Sequence, residues 1–210
     1  MAITLRELVD PAHTAIVISE MQRGIVGDLA RSPMLEMQHA VDEHHVIPAI
    51  ARLADAARAG GSRVVHATLQ FRADRAGVRI VTPLMAVTMK DPDYLLIGSA
   101  EAEIIPELGP DPRDIVAARI HGMSAFNGTE LDPILRSLDI RTLVIAGISL
   151  NEAVIGMAIE AVNIGYRIVI PRDAVMGLPE TFAADMLRYS FALLGKVVTV
   201  DEVIACWTPE

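Results

Sequence analysis

Residues 14–22 read TAIVISEMQ, a run of six residues suited to a β-strand, then a carboxylate and, two positions later, an amide. Residues 14–19 show no alternation of apolar and polar side chains, so both faces of this strand are predicted to be buried. Apolar residues then recur at helical spacing over residues 50–57, and Gly60 and Gly61 end that helix. A buried strand followed by an amphipathic helix is the repeating unit of a parallel sheet.

The strand and helix unit recurs to the end of the chain. Strands buried on both faces and separated by helices predict an α/β fold, a Rossmann-like, doubly wound, mostly parallel six-stranded sheet with helices on both faces. The last helix is predicted from the spacing of Phe182, Met186, Tyr189 and Leu193. Further strands are predicted at residues 63–68, 114–119, 142–146, 167–171 and 196–200, and further helices at residues 131–138, 154–161 and 182–193.

A single domain spanning residues 1–210 accounts for the chain. No internal repeat and no Pro- or Ser-rich linker divides it, and 52% hydrophobic residues suffice for one large core. Residues 74–109 are the least regular part, because Pro83, Pro92, Gly98 and Pro106 interrupt every pattern. We predict that this segment passes over the functional site.

The charge balance and the single cysteine restrict partners and location. Lys and Arg total 18 against 27 Asp and Glu, a net charge of −9, which disfavours binding to nucleic acid. There is no run of eighteen apolar residues, so no membrane span is expected. Residues 1–10 lack the apolar stretch of a signal peptide, and Cys206 has no cysteine partner within the chain. We therefore expect a cytoplasmic protein.

Residues that directly follow the strands are the site candidates, because ligands of doubly wound sheets bind beyond the carboxyl ends of the strands. These residues lie at 20–22, 69–71, 120–121 and 147–153. An apolar strand ends directly in the carboxylate of Glu20, which is either a proton carrier or a residue that caps a turn or pairs with an arginine. His121 is, in the same way, either a catalytic or a structural histidine.

Residues 147–151 read GISLN and lead into a helix. The free N–H groups at the start of such a helix suit an anion or a developing oxyanion. An ordinary turn, with Gly147 for tightness and Asn151 as a cap, explains the same spacing. No Gly-rich dinucleotide or nucleotide motif follows any strand, so no cofactor is predicted.

Four segments together resemble the isochorismatase-like hydrolases. Residues 15–22 are similar to that family's opening strand, which normally ends in Asp-x-Gln, and residues 124–131 match its Ser-Ala-Phe-x-x-Thr-x-Leu segment. Residues 142–151 resemble its Gly-Val-x-Thr-Asn turn, and residues 165–174 resemble its strand that ends in Asp-Ala. The resemblance implies a Rossmann-like sheet in a homodimer or homotetramer that hydrolyses small amides or, in isochorismatases, a vinyl ether.

The amidases of this family use an Asp, Lys and Cys triad, in which the cysteine attacks the carbonyl. The aspartate position is Glu20 in this chain, the lysine position is Ile120, and the cysteine position is Ala153. A methyl group cannot attack a carbonyl, so hydrolysis through a cysteine is not expected. Some amidase relatives also bind a metal near the second strand through carboxylate and histidine ligands. Residues 68–71 offer neither, and no metal is predicted.

Isochorismatases also lack the cysteine, since a vinyl ether needs proton donation to carbon and addition of water. By this resemblance, Glu20 is the predicted general acid/base, with Arg119 or His121 in the role of the cation. Residues predicted to contact a small-molecule substrate are Gln70, Phe71, Phe126, Ile148 and Ala153. The alternative is a family member that kept the fold, lost the chemistry and has a binding or structural role.

Overall fold

The computed structural model describes residues 3–208. Its six strands form one all-parallel sheet in the order β3-β2-β1-β4-β5-β6, which confirms the predicted doubly wound fold. The strand order reverses between β1 and β4, so the ligand crevice is expected at the carboxyl ends of these two strands. The strands are β1 (Thr14–Ser19), β2 (Arg63–Leu69), β3 (Ile115–Arg119), β4 (Thr142–Gly147), β5 (Arg167–Pro171) and β6 (Lys196–Val198).

Helices cover both faces of the sheet. One face packs Ile16 and Ile18 of β1 against the long helix α3, and the other packs Ala15 and Val17 against α5 and α6. All six residues of β1 are buried, as the lack of alternation predicts. The helices are α1 (Leu5–Leu8), α2 (Leu35–Glu43), α3 (Val46–Gly60), α4 (Pro83–Thr88), α5 (Leu131–Ser137), α6 (Ile155–Asn163), α7 (Glu180–Met186), α8 (Ala192–Leu194) and α9 (Val200–Trp207).

The helix predicted at residues 182–193 is interrupted in the structure. The chain forms α7, then a π-helix over Leu187–Phe191, then α8. A π-turn places one more residue in the turn than an α-turn does, so side chains spaced four apart no longer share one face. Only Met186 of the four residues that define the predicted helix is buried. The π-turn accounts for the exposure of Tyr189 and Leu193, whereas Phe182 is exposed on α7 before it.

The irregular segment after β2 crosses the carboxyl ends of the strands, as predicted. Main-chain hydrogen bonds attach it, from Phe71 N–H to Leu95 O at 2.8 Å and from Ile97 N–H to Phe71 O at 2.8 Å. Arg31, in the loop after β1, pairs with Asp91 of this segment at 2.7 Å. These contacts hold α4 above the end of the sheet, where it forms one wall of a cavity.

Candidate active site

An ion pair joins the ends of β1 and β3. Arg119, the last residue of β3, donates a hydrogen bond from Nη2 to Oε1 of Glu20 and a second one to Met123 O at 3.3 Å. The side chains of Arg119 and Glu20 are 2% and 13% exposed, so the pair is largely shielded from solvent. Nε and Nη1 of Arg119 have no hydrogen-bond partner within residues 3–208.

Glu20 owes its position to the turn that follows β1. Its backbone has φ +54°, in the left-handed region that residues other than glycine rarely adopt. Its N–H donates a hydrogen bond to Ala67 O at 2.9 Å. Gln22 fixes the turn by donating from Nε2 to Leu69 O at 2.8 Å and accepting from Leu69 N–H at 2.8 Å. The amide of the Glu-x-Gln pair is thus a structural tie to β2, and the carboxylate is left facing the cavity.

The turn after β4 builds the opposite wall. Gly147 has φ +97°, and a Cβ at this position would lie 2.2 Å from Ser19 O. Only glycine allows β4 to turn so close to β1. A π-helix over Leu150–Val154 follows and brings Glu152 and Ala153 into the cavity wall. Ala153 therefore lines the cavity together with Glu20 and Arg119.

The cavity has two adjoining compartments, of about 180 and 70 Å³. Five residues line both of them, namely Glu20, Leu69, Leu84, Thr88 and Glu152. The larger compartment is otherwise mainly apolar, and the smaller one reaches down to Arg119 and Ala153. The apolar side chains of the larger compartment include Ile25, Met34, Met37, Ile148 and Leu178. A small molecule in this cavity would lie over Glu20 and against Glu152.

Glu152 is a second carboxylate of the site that was not singled out from the sequence. It has no ion-pair partner in the described part of the chain. Burial raises the pKa of Glu152, the negative charge of Glu20 raises it further, and a hydrogen bond from Ser149 lowers it in part. Acidic residues are common in the first turn of a helix, because they interact favourably with the positive end of the helix dipole. No specific signal therefore marks Glu152 in the sequence.

Tyr94 is the second site residue absent from the predictions. It is 6% exposed and lines the larger compartment, and its hydroxyl makes no hydrogen bond within residues 3–208. Burial raises the pKa of the Tyr94 phenol, and the charge of Glu20 raises it further, so the hydroxyl keeps its proton. Tyr94 lies in the irregular segment after β2, where no periodicity distinguishes one residue from another.

The structure brings together only some of the residues predicted from the sequence. Phe71, Ile148 and Ala153 line the cavity with Glu20 and Arg119. The predicted roles of Phe71, Ile148 and Ala153 as substrate contacts stay predictions. The same holds for the predicted roles of Gln70, Phe126 and His121.

Gln70, His121 and Phe126 lie elsewhere. Gln70 donates its main-chain N–H to Arg119 O at 3.0 Å. The half-buried ring of His121 lies against Gly128, and Phe126 packs on Tyr166 in the core, with ring centroids 5.9 Å apart. Arg119, and not His121, is therefore the cation that reaches Glu20.

Within residues 3–208, no group of three or more His, Cys, Asp or Glu side chains is placed to hold a metal ion. At the end of β2, Leu69, Gln70 and Phe71 supply no carboxylate or imidazole ligand, so these residues do not fit the metal site of the amidase relatives. None of the helices between residues 3 and 208 has the length and apolar composition needed to cross a membrane.

Comparison with known proteins agrees with the fold and the motifs. A family model described as isochorismatase domain matches residues 14–202, and the chain therefore belongs to the isochorismatase family. It is 28% identical to the uncharacterized isochorismatase family protein YwoC of Bacillus subtilis, over 93% of this chain and 95% of that protein. It is also 28% identical to the ureidoacrylate amidohydrolase RutB of Agrobacterium fabrum, over 91% of this chain and 89% of that one.

A solved structure gives the same result in three dimensions. An isochorismatase family protein from Burkholderia thailandensis superposes with a TM-score of 0.75 at 28% identity, covering 93% of this chain and 96% of that one. The resemblance carried by the four sequence segments is thereby confirmed at the level of the family.

Proposed function

We propose that this chain hydrolyses a bond of a small molecule with water as the nucleophile and with Glu20 as the general acid/base. The observation that carries the proposal is the Glu20–Arg119 ion pair at the base of a cavity that Ala153 also lines. By the family resemblance, Ala153 stands at the position of the amidases' cysteine, so water is proposed as the nucleophile. A carboxylate at the carboxyl end of the central strand and inside a cavity is well placed to move a proton.

For a vinyl ether, a proton passes from Glu20 to the terminal alkene carbon, and water adds to the resulting cation. The proton lost by that water returns to the carboxylate, and the hemiketal then separates into a carbonyl compound and an alcohol. For an amide, Glu20 takes a proton from water as the oxygen attacks the carbonyl, and it delivers that proton to the leaving nitrogen. Neither route forms a covalent bond to the protein, as Ala153 requires.

Arg119 has a defined part in this scheme. Its Nη2 bond to Glu20 orients the carboxylate. The guanidinium is thus proposed as a positioning group. It comes from the residue next to Ile120, which the resemblance aligns with the family's lysine. An amide-hydrolysing relative such as RutB makes an amide one of the two bond types to test.

The second candidate function is a family member without activity that binds a ligand. The observation in its favour is the ion pair itself, because a buried Arg119 needs a counter-charge whether or not Glu20 takes part in catalysis. Thermal stability alone therefore does not separate the two candidates, and turnover must be measured.

The test is a panel of small amides and vinyl ethers, assayed with the parent, Glu20→Gln and Glu20→Asp. We expect turnover by the parent to fall by about a hundredfold or more in Glu20→Gln, the usual contribution of a general acid/base. Glu20→Asp, which restores the family's own residue, should retain more activity than Glu20→Gln. No turnover by the parent across the panel, or equal turnover by the parent and Glu20→Gln, would contradict the proposal.

We further propose that the protein works as a homodimer or homotetramer in the cytoplasm. The support is the family resemblance, the exposed apolar side chains of α7 and α8, and a lone cysteine that suits a reducing compartment.

A further inference from the structure

We propose that the larger compartment of the cavity selects a small organic cation, with the cationic group beside Glu152 and Tyr94 and an apolar body on the facing wall. The inference deepens the proposed function, since this cation would be the substrate, but the binding itself can be tested without turnover.

The charges of the cavity are unbalanced. Three carboxylates line the larger compartment, those of Glu20, Glu152 and, at its mouth, Glu36, and no Lys, Arg or His is among its lining residues within residues 3–208. Arg119 lines only the smaller compartment, and Glu20 already compensates its charge. Lys90 lines an adjoining outer depression together with Asp91 and Tyr94, where Asp91 is a carboxylate of opposite charge. Glu152 therefore has no counter-charge in the described part of the chain.

Tyr94 gives independent support for a ligand at this place. More than nine-tenths of the residue is buried, yet its hydroxyl has no partner within residues 3–208 and the side chain lines the same compartment. The hydroxyl oxygen itself keeps some accessible surface, so it is free to accept a hydrogen bond from a ligand. An ammonium group would donate to the phenol oxygen and to Glu152, and the ring itself attracts cations.

The facing wall determines the rest of the ligand. Ile25, Met34, Met37, Ile148 and Leu178 give it an apolar surface, and methionine side chains adapt to ligands of different shape. A ligand with one cationic end and a compact apolar body matches both walls. An anion of the same shape would face Glu152 across a partly desolvated space, where repulsion between like charges is stronger than in water.

The expected ligand of this chain is a cation, whereas ureidoacrylate, the substrate named for the relative RutB, is an anion. With its cationic end at Glu152, the ligand would extend over Glu20, where the reacting bond is expected. A cationic amide or enol ether is therefore the substrate class to test.

The experiment measures binding to the full chain by isothermal titration calorimetry with three probes of similar shape, namely benzylammonium, benzyl alcohol and benzoate. We expect benzylammonium to bind the parent about tenfold or more tightly than benzyl alcohol, and benzoate to bind weakest. Glu152→Gln should abolish the preference for the cation while the affinity for benzyl alcohol changes less than about twofold.

Two further variants test the placement. Glu107→Gln removes an exposed carboxylate outside the cavity and should keep the preference for the cation. Tyr94→Phe retains the ring and removes the unpaired hydroxyl, and it should weaken benzylammonium binding by less than Glu152→Gln does. Thermal unfolding of each variant establishes that it is folded before binding is compared.

Benzoate binding as tight as benzylammonium, no saturable benzylammonium binding up to ~10 mM, or an intact preference in folded Glu152→Gln would each overturn the inference. If the cation binds through Glu152 but no cationic amide or enol ether is turned over, the proposed function fails and the inference about the cation stands. Turnover of anionic substrates without cation binding would contradict this inference alone.

Discussion

Arg119 at the end of β3 donates a hydrogen bond to the carboxylate of Glu20 at the end of β1, across the end of the strand β2 that lies between them. The pair connects the edge strand to the central strand at the base of the cavity. Two guanidinium nitrogens of Arg119 have no partner within residues 3–208, so Glu20 is the principal compensation for a buried charge.

Glu20→Gln is expected to lower the free energy of unfolding by about 2–4 kcal/mol, because it leaves Arg119 buried without a counter-charge. The loss should lie in the lower part of the range for buried pairs, since Glu20 reaches the cavity. Urea unfolding of the parent, of Glu20→Gln and of the double variant with Arg119→Met measures the effect. The double variant should be more stable than Glu20→Gln, and strictly additive losses would show that the pair does not interact.

Gly147→Ala is expected to lower the unfolding free energy by more than about 3 kcal/mol or to prevent folding. The added Cβ would lie 2.2 Å from Ser19 O, and φ is +97°. Gly165→Ala is the matched control, because Gly165 has φ +96° but no atom within 4 Å of the position that an added Cβ would take. It should cost only about 1 kcal/mol of conformational strain. Equal losses in the two variants would mean that the contact with Ser19 is unimportant.

The sequence predicts the fold because the central strands β1 and β4 are buried along their whole length and leave continuous apolar runs. The edge strands β3 and β6 are only partly buried, and Val116 of β3 is 56% exposed. The tight turn at Gly147 agrees with one of the two interpretations of residues 147–151, whereas the register of β1 against β4 is known only from the structure. The prediction of one continuous helix over residues 182–193 was wrong in detail, because the spacing of apolar residues does not reveal a π-turn. The π-turn rotates Tyr189 and Leu193 away from the core.

The site was predictable only where it adjoins a strand. Glu20 follows β1 and Arg119 ends β3, so topology alone places them at one edge of the sheet. Ala153 was singled out through the family resemblance. Glu152 and Tyr94 depend on a π-helix and on an irregular segment whose course is set by long-range contacts. Phe126 belongs to the Ser-Ala-Phe segment that resembles the family's, yet its ring is buried in the apolar core against Tyr166 and does not face the cavity.

The buried cluster of His66, Asp114 and Arg58 predicts how stability depends on pH. His66 Nε2 lies 3.0 Å from Asp114 Oδ2, and Arg58 Nη2 lies 2.7 Å from the same oxygen. Burial lowers the pKa of His66, and the hydrogen bond to Asp114 offsets only part of this. Burial alone would raise the pKa of Asp114, but hydrogen bonds from Arg58 and His66 outweigh it and lower that pKa.

Both shifts make the unfolded chain the better proton acceptor, so stability should fall as pH is lowered. The His66 contribution is lost as pH falls below its ordinary pKa of 6.5, and the Asp114 contribution is lost below 3.8. Each pKa unit of difference corresponds to about 1.4 kcal/mol. Unfolding free energies between pH 7 and pH 5 should decline less steeply in His66→Gln than in the parent. An identical slope would show that His66 titrates alike in both states.

Cys206→Ser is expected to leave any activity unchanged. Cys206 lies on α9, where its Sγ donates to Glu202 O at 3.3 Å and packs against the core on the α3 side, and it is not among the cavity-lining residues. Burial raises the pKa of its thiol, so the reactive thiolate is disfavoured. The measurement is turnover of any substrate found with the panel of amides and vinyl ethers. A loss of more than about tenfold would contradict the assignment of the chemistry to Glu20.

The protein is expected to self-associate through the face formed by α7 and α8. Phe182, Tyr189 and Leu193 are exposed there, with Leu193 at 85%. The π-helix turns Tyr189 and Leu193 away from the core, and Phe182 is exposed on α7 before it. Clustered apolar side chains at a surface favour contact with a second copy. Leu193→Glu places a charge in that contact and should shift the protein toward a monomer at micromolar concentration, as measured by sedimentation velocity.

Leu35→Glu is the control, because Leu35 is also exposed but lies on α2, which covers the opposite face of the sheet. It should leave the distribution of species as in the parent. If Leu35→Glu dissociates the protein and Leu193→Glu does not, the interface lies on the α2 side. If the parent sediments as a monomer near 22.6 kDa, the exposed side chains of α7 and α8 are solvated and self-association is refuted.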